Sequence, residues 1–327
     1  MSTAQAPGSE APGNVGIEVE VDENENDNDT DSSLGDNLST ATESVRSSLF
    51  QGVYENGRLY HKYKDGAYIL PEDGPEQERL DMQHAMFWRS LGGKFILAPV
   101  ERELREVLDL GTGTGIWVVD FADAHPEANV LGIDLSPIQP ALVPPNAKFE
   151  VDDFDQPWTY VQKFDLIHAR MLLTSSADFP RLFQQTFDAL QPGGWFEIQD
   201  LCMPLLCDDG TIQGTALEEW NDKYMEACRR IQRDPSWTAK YKEWLIQAGF
   251  VKVEEKVLKW PIGPWAKDPA LKEMGSWNQI NMLEGLDAFT VRLWTMALGM
   301  TLEEIQLFLV RVRNDIQDRR IHSYWPM

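Results

Sequence analysis

The sequence predicts an α/β protein with a Rossmann-like parallel sheet and a helical cap. Residues 107–115 (VLDLGTGTG) form an apolar strand that runs into a glycine-rich turn, and residues 129–134 (NVLGID) form a second apolar strand. Strands that alternate with helical segments are typical of parallel sheets. Both strands end in polar residues at the carboxyl edge of the predicted sheet, where such folds bind their ligands.

The glycine-rich turn predicts a binding site for a nucleoside cofactor. Gly111 and Gly113 can adopt backbone angles closed to other residues, which lets a ligand lie against the main chain. Asp109 adds a carboxylate at the tip of the first strand, where a cationic amine would fit. Asp134 ends the second strand, 19 residues after Gly115, where an acid hydrogen-bonds both hydroxyls of a ribose.

The glycine spacing separates the candidate cofactors. Dinucleotide sites favour G-x-G-x-x-G, with the pyrophosphate at the helix N-terminus. Here the glycines stand at 111, 113 and 115, and Asp109 precedes them. A carboxylate there would repel a pyrophosphate but suits the ammonium group of S-adenosylmethionine. The pattern therefore favours a methyl donor over NAD and leaves a nicotinamide oxidoreductase as a distant alternative.

Two more predicted strands end near the same site. Residues 147–154 (AKFEVDDF) place Asp152 or Asp153 to meet an adenine amino group, and residues 163–170 (KFDLIHAR) end facing the cofactor. His168 is the candidate catalytic residue, a general base if the acceptor is a hydroxyl. A hydrogen bond from His168 to the cofactor or backbone is the interpretation we favour. Arg170, just beyond His168, is placed to pair with an acidic substrate group or with Asp200.

Helices, a fifth strand and the cap complete the predicted fold. The predicted helices cover residues 179–190, 217–231, 236–248, 272–298 and 302–320, and further strands cover 195–200 and 250–257. We expect the later helices to cap the sheet and build the acceptor pocket, with tryptophans as core or as pocket wall.

The motifs resemble those of class I, seven-stranded S-adenosylmethionine-dependent methyltransferases. The resemblance rests on residues 109–115, Asp134, residues 152–153, residues 164–168 and residues 190–194. It implies that the donor is bound by the strand tips and the N-terminal segment, through Asp109, Gly111, Thr112, Gly113, Gly115, Asp134, Leu135, Asp152, Asp153, Phe154 and Tyr63.

A narrower similarity is to the filamentous-fungal LaeA-like (TAM-domain) methyltransferases. It runs from about Ser48 to Tyr324 and is carried by segments such as residues 54–63 (YENGRLYHKY), 66–71 (GAYILP), 79–84 (RLDMQH) and 134–139 (DLSPIQ). The family implies either a methyltransferase acting on a small molecule of fungal secondary metabolism, or a regulatory methyltransferase of secondary metabolism and development that acts through protein partners.

Two features of the resemblance concern the ends of the folded part. Tyr54, Arg58, Tyr60 and Tyr63 lie in an aromatic segment that would either fold over the site as a lid or pack on the surface. Relatives continue past His-x-Tyr, here at 322–324, into a final strand of the main sheet. Residues 324–327 are therefore either a stub of that strand or evidence that it is missing.

Charge and composition suggest the domain organisation. We expect a disordered acidic tail over residues 1–47, an N-terminal lid segment over 48–100, a Rossmann-like core over 101–258 and a helical cap over 259–327, with a helical insertion at about 213–248. The first 45 residues carry eleven acids and no Lys or Arg. Such a segment buries too little apolar surface to offset its ordering entropy.

Composition also narrows the function classes. The net charge of −24 disfavours direct nucleic-acid binding, because phosphates need cationic neutralisation. The three cysteines lack paired metal spacing, and their odd number argues against a disulfide framework. No apolar run approaches the roughly 18 residues of a membrane span, and no basic-then-apolar leader begins the chain. We expect a cytoplasmic or nuclear protein without a metal or membrane insertion.

Overall fold

The computed structural model describes residues 52–61, 66 and 68–327 of the 327-residue chain. The predicted acidic tail over residues 1–47 and the donor-binding candidate Tyr63 lie outside the described residues.

The described part begins with an antiparallel hairpin and a long helix. The hairpin consists of β1 (Val53–Glu55) and β2 (Arg58–Tyr60), and helix α1 (Gly74–Ser90) follows it. The Asp73 side chain caps the N-terminus of α1 and also accepts two hydrogen bonds from the Arg58 guanidinium, at 2.6 and 2.8 Å. This ion pair attaches the hairpin to the start of α1.

Five parallel strands form the central sheet and confirm the Rossmann-like α/β fold. They are β3 (Glu106–Leu110), β4 (Asn129–Asp134), β5 (Ala147–Val151), β6 (Phe164–Arg170) and β7 (Leu190–Gln199). Their order across the sheet is β5-β4-β3-β6-β7. Strands β3 and β6 are buried along almost their whole length, as expected where helices cover both faces of a parallel sheet.

Four of the helices with predicted bounds agree with the sequence to within three residues, whereas the helix predicted over 236–248 is divided into a 3-10 helix and an α-helix. The helices after α1 are α2 (Ile116–Ala124), α3 (Phe179–Ala189), α4 (Ala216–Arg230), α5 (Tyr241–Ala248), α6 (Pro269–Leu298) and α7 (Leu302–Gln317), with a short 3-10 helix at Pro235–Lys240 before α5. Asp178 caps the N-terminus of helix α3, and its carboxylate accepts from the backbone N–H of Arg181. Such a cap satisfies one of the N–H groups left free at a helix start.

The strand predicted over residues 250–257 is not formed. The chain is irregular there, and Lys252 has φ 56°, a left-handed conformation that does not belong to a strand. Most of these side chains are exposed, including Val251 at 81%. Without a buried face, this segment gains no apolar burial by joining the sheet. β7 is accordingly the last strand of the described central sheet.

The C-terminal residues join a second, antiparallel sheet. Its strands are β8 (Leu206–Cys207), β9 (Lys259–Pro261) and β10 (Ser323–Pro326), with β10 in the middle. The Tyr324 hydroxyl donates to the carboxylate of Asp208 at 2.7 Å. Residues 324–327 are therefore paired in this second sheet rather than being a stub of a strand of the central sheet.

Helices α4, α6 and α7 pack together with part of α1 as the predicted helical cap. Their shared core contains the fully or almost fully buried rings of Trp220, Trp260 and Trp294. These tryptophans thus belong to the core, which is the commoner use of an aromatic at helical spacing. In the part of the chain that the structure describes, no helix has both the length and the apolarity needed to cross a membrane.

Candidate functional site

A cavity of about 380 Å³ lies at the carboxyl ends of β3, β4, β5 and β6. Its volume falls within the range of about 300–1,000 Å³ that is common for small-molecule sites. The N-terminal segment and the start of α1 contribute part of its wall, and the strand tips and the following loops contribute the rest. The lining includes Tyr68, Pro71, Glu72, Leu80, Gly111, Gly113, Asp134, Leu135, Ser136, Ile138, Asp153, Phe154, Asp155, Gln156, Arg170, Met171, Leu172, Ser175 and Arg233.

Two glycines bring the backbone of the turn after β3 to the cavity wall. Gly111 has φ 67°, and a Cβ atom at this position would lie 2.7 Å from Cδ2 of Leu172. Only glycine avoids both the left-handed strain and that clash. Gly113 donates its backbone N–H to Oδ2 of Asp134 at 2.8 Å. The turn after β3 and the tip of β4 therefore form one hydrogen-bonded unit.

Asp134 lines the cavity with a carboxylate that is oriented by backbone donors. Its second oxygen, Oδ1, accepts from the backbone N–H of Ser136 at 2.9 Å. Burial raises the pKa of Asp134 to about 6, although the two backbone hydrogen bonds act in the opposite direction. Each carboxylate oxygen has a second lone pair, so Asp134 can still accept one hydroxyl on each oxygen.

The tip of β5 separates the two neighbouring acids that the sequence left as alternatives. Asp153 lines the cavity together with Phe154 and, from the tip of β4, Leu135. Asp152 is exposed and does not line the cavity; its carboxylate accepts from the backbone N–H of Asp153 at 2.8 Å. The geometry therefore favours Asp153 over Asp152 as a ligand contact.

Thr112 and Gly115 shape the turn without lining the cavity. The backbone N–H of Thr112 donates to the carbonyl oxygen of Ile133 at 3.0 Å, which joins the turn to β4. Gly115 has φ 81° at the N-cap of α2, and a Cβ atom there would lie 2.5 Å from the ring of Phe149. The third glycine of the motif is thus required for packing between α2 and β5.

The structure places Asp109 and His168 beside each other, away from the cavity lining. Nδ1 of His168 lies 2.7 Å from Oδ1 of Asp109, and both side chains are buried. The imidazole stacks on Trp117 with 3.9 Å between ring centroids and an interplanar angle of 1°. The Asp109 carboxylate does not line the cavity, but its charge acts on Asp134 and Arg170, which do. Its role at the donor ammonium stays a prediction. The geometry also favours the structural role of His168 over that of a base.

Arg170 reaches the cavity from the end of β6 and is held by neutral groups. Its Nε donates to Oε1 of Gln199 at 3.0 Å, and Nη1 lies 3.1 Å from Nδ1 of His84. Burial and the nearby guanidinium lower the pKa of His84 to about 4. His84 is therefore neutral at pH 7, with Nδ1 as acceptor and Nε2–H as donor to Asp120, 3.0 Å away. Arg170 makes no ion pair with Asp200 in the described residues.

Of the residues that the sequence placed in a lid, Tyr54, Arg58 and Tyr60 do not line the cavity, and Tyr63 lies outside the described residues. Arg58 is engaged with Asp73, and Tyr60 is buried with the guanidinium of Arg292 4.3 Å from its ring centroid. Tyr54 is 78% exposed. The wall is instead built a few residues later in the chain, by Tyr68 and its successors.

Sequence reasoning missed several cavity residues, notably Glu72 and Arg233. Glu72 directly follows the segment of residues 66–71 that had carried the family similarity, so proximity to that motif was an available signal. Arg233 lies in the loop after α4, where Nη1 donates to the carbonyl oxygen of Ser175 at 3.0 Å. No local pattern marks this loop, because its position depends on how α4 packs against the sheet.

Comparisons with known proteins agree with this geometry. The family described as Methyltransferase domain matches residues 82–255. The chain is 39% identical to the methyltransferase pytC of Aspergillus terreus over 282 residues, which cover 86% of this chain and 87% of that protein. The chain belongs to this methyltransferase family.

Other relatives of the methyltransferase carry two kinds of name. The probable methyltransferase tdiE of Emericella nidulans is 34% identical over 297 residues, or 90% of this chain and 92% of that protein. The secondary metabolism regulator LAE1 of Cochliobolus heterostrophus is 37% identical over 278 residues, or 83% and 91%. Among solved structures, phosphoethanolamine N-methyltransferase 2 of Haemonchus contortus aligns with 16% identity, a TM-score of 0.40 and coverage of 80% of this chain and 53% of that one. The similarity to LaeA-like proteins is thus confirmed.

S-adenosylmethionine is the methyl donor of this family, and the cavity residues fit it. Gly111 and Gly113 present backbone rather than side chains, and Asp134 keeps free lone pairs for two hydroxyls. Phe154 offers an apolar ring beside Asp153, which suits a purine with an amino group. The donor-binding role of each of these residues is our assignment from this fit.

Proposed function

We propose that the methyltransferase transfers the methyl group of S-adenosylmethionine to a small-molecule acceptor at the cavity between the strand tips and the N-terminal segment. The observation that carries this proposal is the cavity itself, because it is lined by Gly111, Gly113, Asp134 and Arg170 together. The relatives pytC and tdiE, which are named as methyltransferases and align over most of the chain, support the same class of reaction.

Orientation and exclusion of water are the contributions that the described residues can make. The sulfonium of the donor supplies an already activated methyl group, so positioning can provide much of the rate acceleration. Leu80 on α1 lines the cavity, and the hydroxyl of Thr114 donates to Asp81 at 2.7 Å, which holds α1 against the glycine-rich turn. We propose that α1 and the segment before it cover the donor.

His168 is proposed to support the turn rather than to accept a proton. Its imidazole is completely buried between Trp117 and Asp109, and Nε2 has no hydrogen-bond partner among the described residues. A proton acceptor must reach the acceptor hydroxyl directly or through one water. The position of His168 outside the cavity lining favours a structural contribution.

A regulatory role through protein partners is the second candidate. It is favoured by the 37% identity to LAE1, whose name is that of a regulator of secondary metabolism and which aligns over 91% of its length. Such a protein would keep a donor cavity, so donor binding does not separate the two candidates. The identity of the methylated product separates them.

The deciding experiment incubates the full chain with methyl-labelled S-adenosylmethionine and a fungal cell extract, followed by separation of small molecules from precipitated protein. We expect label in the small-molecule fraction, and an Asp134→Asn variant should greatly reduce it. Label confined to the protein fraction would instead support the regulatory candidate, especially if velvet-type proteins co-purify with the chain.

A further inference from the structure

Two charged side chains of the cavity wall, Glu72 and Arg170, make no ion pair with a described residue, although the charges of Asp109 and Glu197 act on Arg170 from a longer distance. Glu72 lines the cavity, and its Oε2 atom is buried without a hydrogen-bond partner there. Arg170 lines the same cavity, and its polar contacts among the described residues are with Gln199 and His84, while its guanidinium lies 4.4 Å from the ring centroid of Phe87. A buried carboxylate oxygen without a donor destabilises the fold, because its lost hydration is not replaced. A ligand that supplies both a cation and an anion would satisfy both groups.

Arg170 stands directly beside the glycine-rich turn. In the sheet, Leu110 of β3 pairs with Ala169 of β6, so the next residues on the two strands are Gly111 and Arg170. Both line the cavity. The Arg170 guanidinium remains charged at neutral pH, because burial lowers its pKa only to about 10. Because Nε and Nη1 of Arg170 have neutral partners, Nη2 can donate to an anion.

The strand order fixes how a nucleoside would lie across the cavity. Asp153 and Phe154 follow β5, Asp134 ends β4, and Gly111 follows β3, and these three strands are consecutive in the sheet. A base at β5 with its ribose at β4 directs the 5′ substituent towards β3 and β6. In S-adenosylmethionine the 5′ substituent is the amino-acid end, a zwitterion with one ammonium and one carboxylate.

We propose that Arg170 binds the α-carboxylate of the donor and that Glu72 binds its α-ammonium. This assignment rests on the proposed function and deepens it. It replaces Asp109, which the sequence had suggested for the ammonium, since the Asp109 carboxylate is buried against His168 outside the cavity lining. Charge-assisted hydrogen bonds of this kind are about twice as strong as neutral ones.

The test measures binding of two ligands that differ only in the amino-acid end. S-adenosylhomocysteine carries the zwitterion, whereas 5′-methylthioadenosine keeps the adenosine and the sulfur but lacks it. Calorimetric titration of the full chain is compared with Glu72→Gln and Arg170→Gln, and with two exposed control substitutions, Glu150→Gln and Arg181→Gln. Thermal unfolding of each variant checks that it is folded at the titration temperature, and Arg170→Lys keeps the charge if Arg170→Gln is unstable.

We expect each of the two cavity variants to weaken S-adenosylhomocysteine about 10-fold, or about 1.4 kcal/mol, and to leave 5′-methylthioadenosine almost unchanged. A decarboxylated donor should be insensitive to Arg170→Gln but still sensitive to Glu72→Gln, which assigns each charge to its partner. The control substitutions should change neither affinity.

Three outcomes would overturn the assignment. Equal weakening of both ligands would mean that Glu72 and Arg170 act on the fold or on the nucleoside. Unchanged affinity for S-adenosylhomocysteine in both variants would mean that they do not contact the amino-acid end, while the donor cavity itself would stand. Failure of the folded wild-type chain to bind either ligand would refute the proposed function along with this assignment.

Discussion

The two halves of the cavity wall are built in different ways. At the tips of β3 and β4, the functional groups are fixed by nearby backbone: Asp134 accepts from the N–H groups of Gly113 and Ser136. At the tip of β6, Arg170 is held by the side chains of Gln199 and His84, and Glu72 reaches the cavity from the N-terminal segment, distant in sequence from the strand tips. The first half holds the features common to nucleoside sites, and the second half holds the charges that would discriminate among ligands.

The first prediction tests whether Asp109 belongs to the structure or to the site. Asp109→Ala should lower the free energy of unfolding by about 3 kcal/mol, because it leaves the buried His168 ring without its hydrogen-bond partner. Affinity for S-adenosylhomocysteine should change little at a temperature where the variant is folded. Urea unfolding and calorimetry measure the two quantities.

Asp152→Ala is the matched control for that variant, since Asp152 is an exposed acid at a neighbouring strand tip. Its effect on stability should stay within about 0.5 kcal/mol. A stable Asp109→Ala variant that has lost donor binding would show that Asp109 binds the donor, as the sequence suggested.

The second prediction concerns a buried acid on the side of β6 and β7. Burial raises the pKa of Asp200 to about 8, although the Tyr241 hydroxyl donates to its carboxylate at 3.2 Å. A carboxyl whose pKa is higher in the folded than in the unfolded chain stabilises the fold at low pH and loses that contribution as pH rises through the folded value. The wild type should therefore lose stability relative to Asp200→Asn by at most about 1.4 kcal/mol per pH unit between about pH 4 and pH 8.

Urea unfolding of both chains at several pH values between 5 and 9 measures that difference, and titrations common to both chains cancel. The free energy of unfolding of the wild type, relative to that of Asp200→Asn, should fall up to about pH 8 and then remain constant. Parallel stability curves would show that Asp200 ionises normally and that its surroundings are better solvated than the structure indicates.

The third prediction separates the two costs of adding a methyl group at Gly111. Gly111→Ala should destabilise the fold by about 2 kcal/mol, since it adds left-handed strain and a close contact with Leu172, and it should weaken donor binding. Gly193→Ala is the control, because Gly193 has φ 77° but nothing within 4 Å of an added Cβ atom. Gly193→Ala should be destabilised by the left-handed strain alone. Equal effects of Gly111→Ala and Gly193→Ala on donor binding would contradict a close approach of the donor to the backbone at Gly111.

The smallest expected effect is a pH dependence of donor binding that originates at Asp134. Ribose hydroxyls donate to the ionised carboxylate, so binding should lower its pKa from about 6 and release a proton near that pH. Affinity for S-adenosylhomocysteine at pH 5 should be about 10-fold weaker than at pH 8. Calorimetry in two buffers of different ionisation enthalpy counts the protons. Proton uptake, or no exchange at all at pH 6, would exclude this role of Asp134.

Sequence reasoning succeeded where local pattern determines geometry. The alternation of strands and helices predicted the sheet, and the motif at 107–115 predicted the turn, because its glycines and following helix act within a few residues. It was less informative where burial determines whether a segment forms a strand or whether a side chain reaches the site. The segment at 250–257 alternates like a strand but stays exposed, and Asp109 carries a useful charge but is buried against His168 from β6. Proximity to the motif at 66–71 could have drawn attention to Glu72, but only the packing of the chain shows that it lines the cavity.

Calorimetric titration of the full chain with S-adenosylhomocysteine, beside Asp134→Asn and the exposed-site control Asp152→Asn, tests the central claim most directly. The account predicts one site per chain, weakened by about 1–3 kcal/mol in Asp134→Asn and unchanged in Asp152→Asn. A folded wild-type chain that does not bind, or binding that Asp134→Asn leaves intact, would contradict the assignment of this cavity as the donor site.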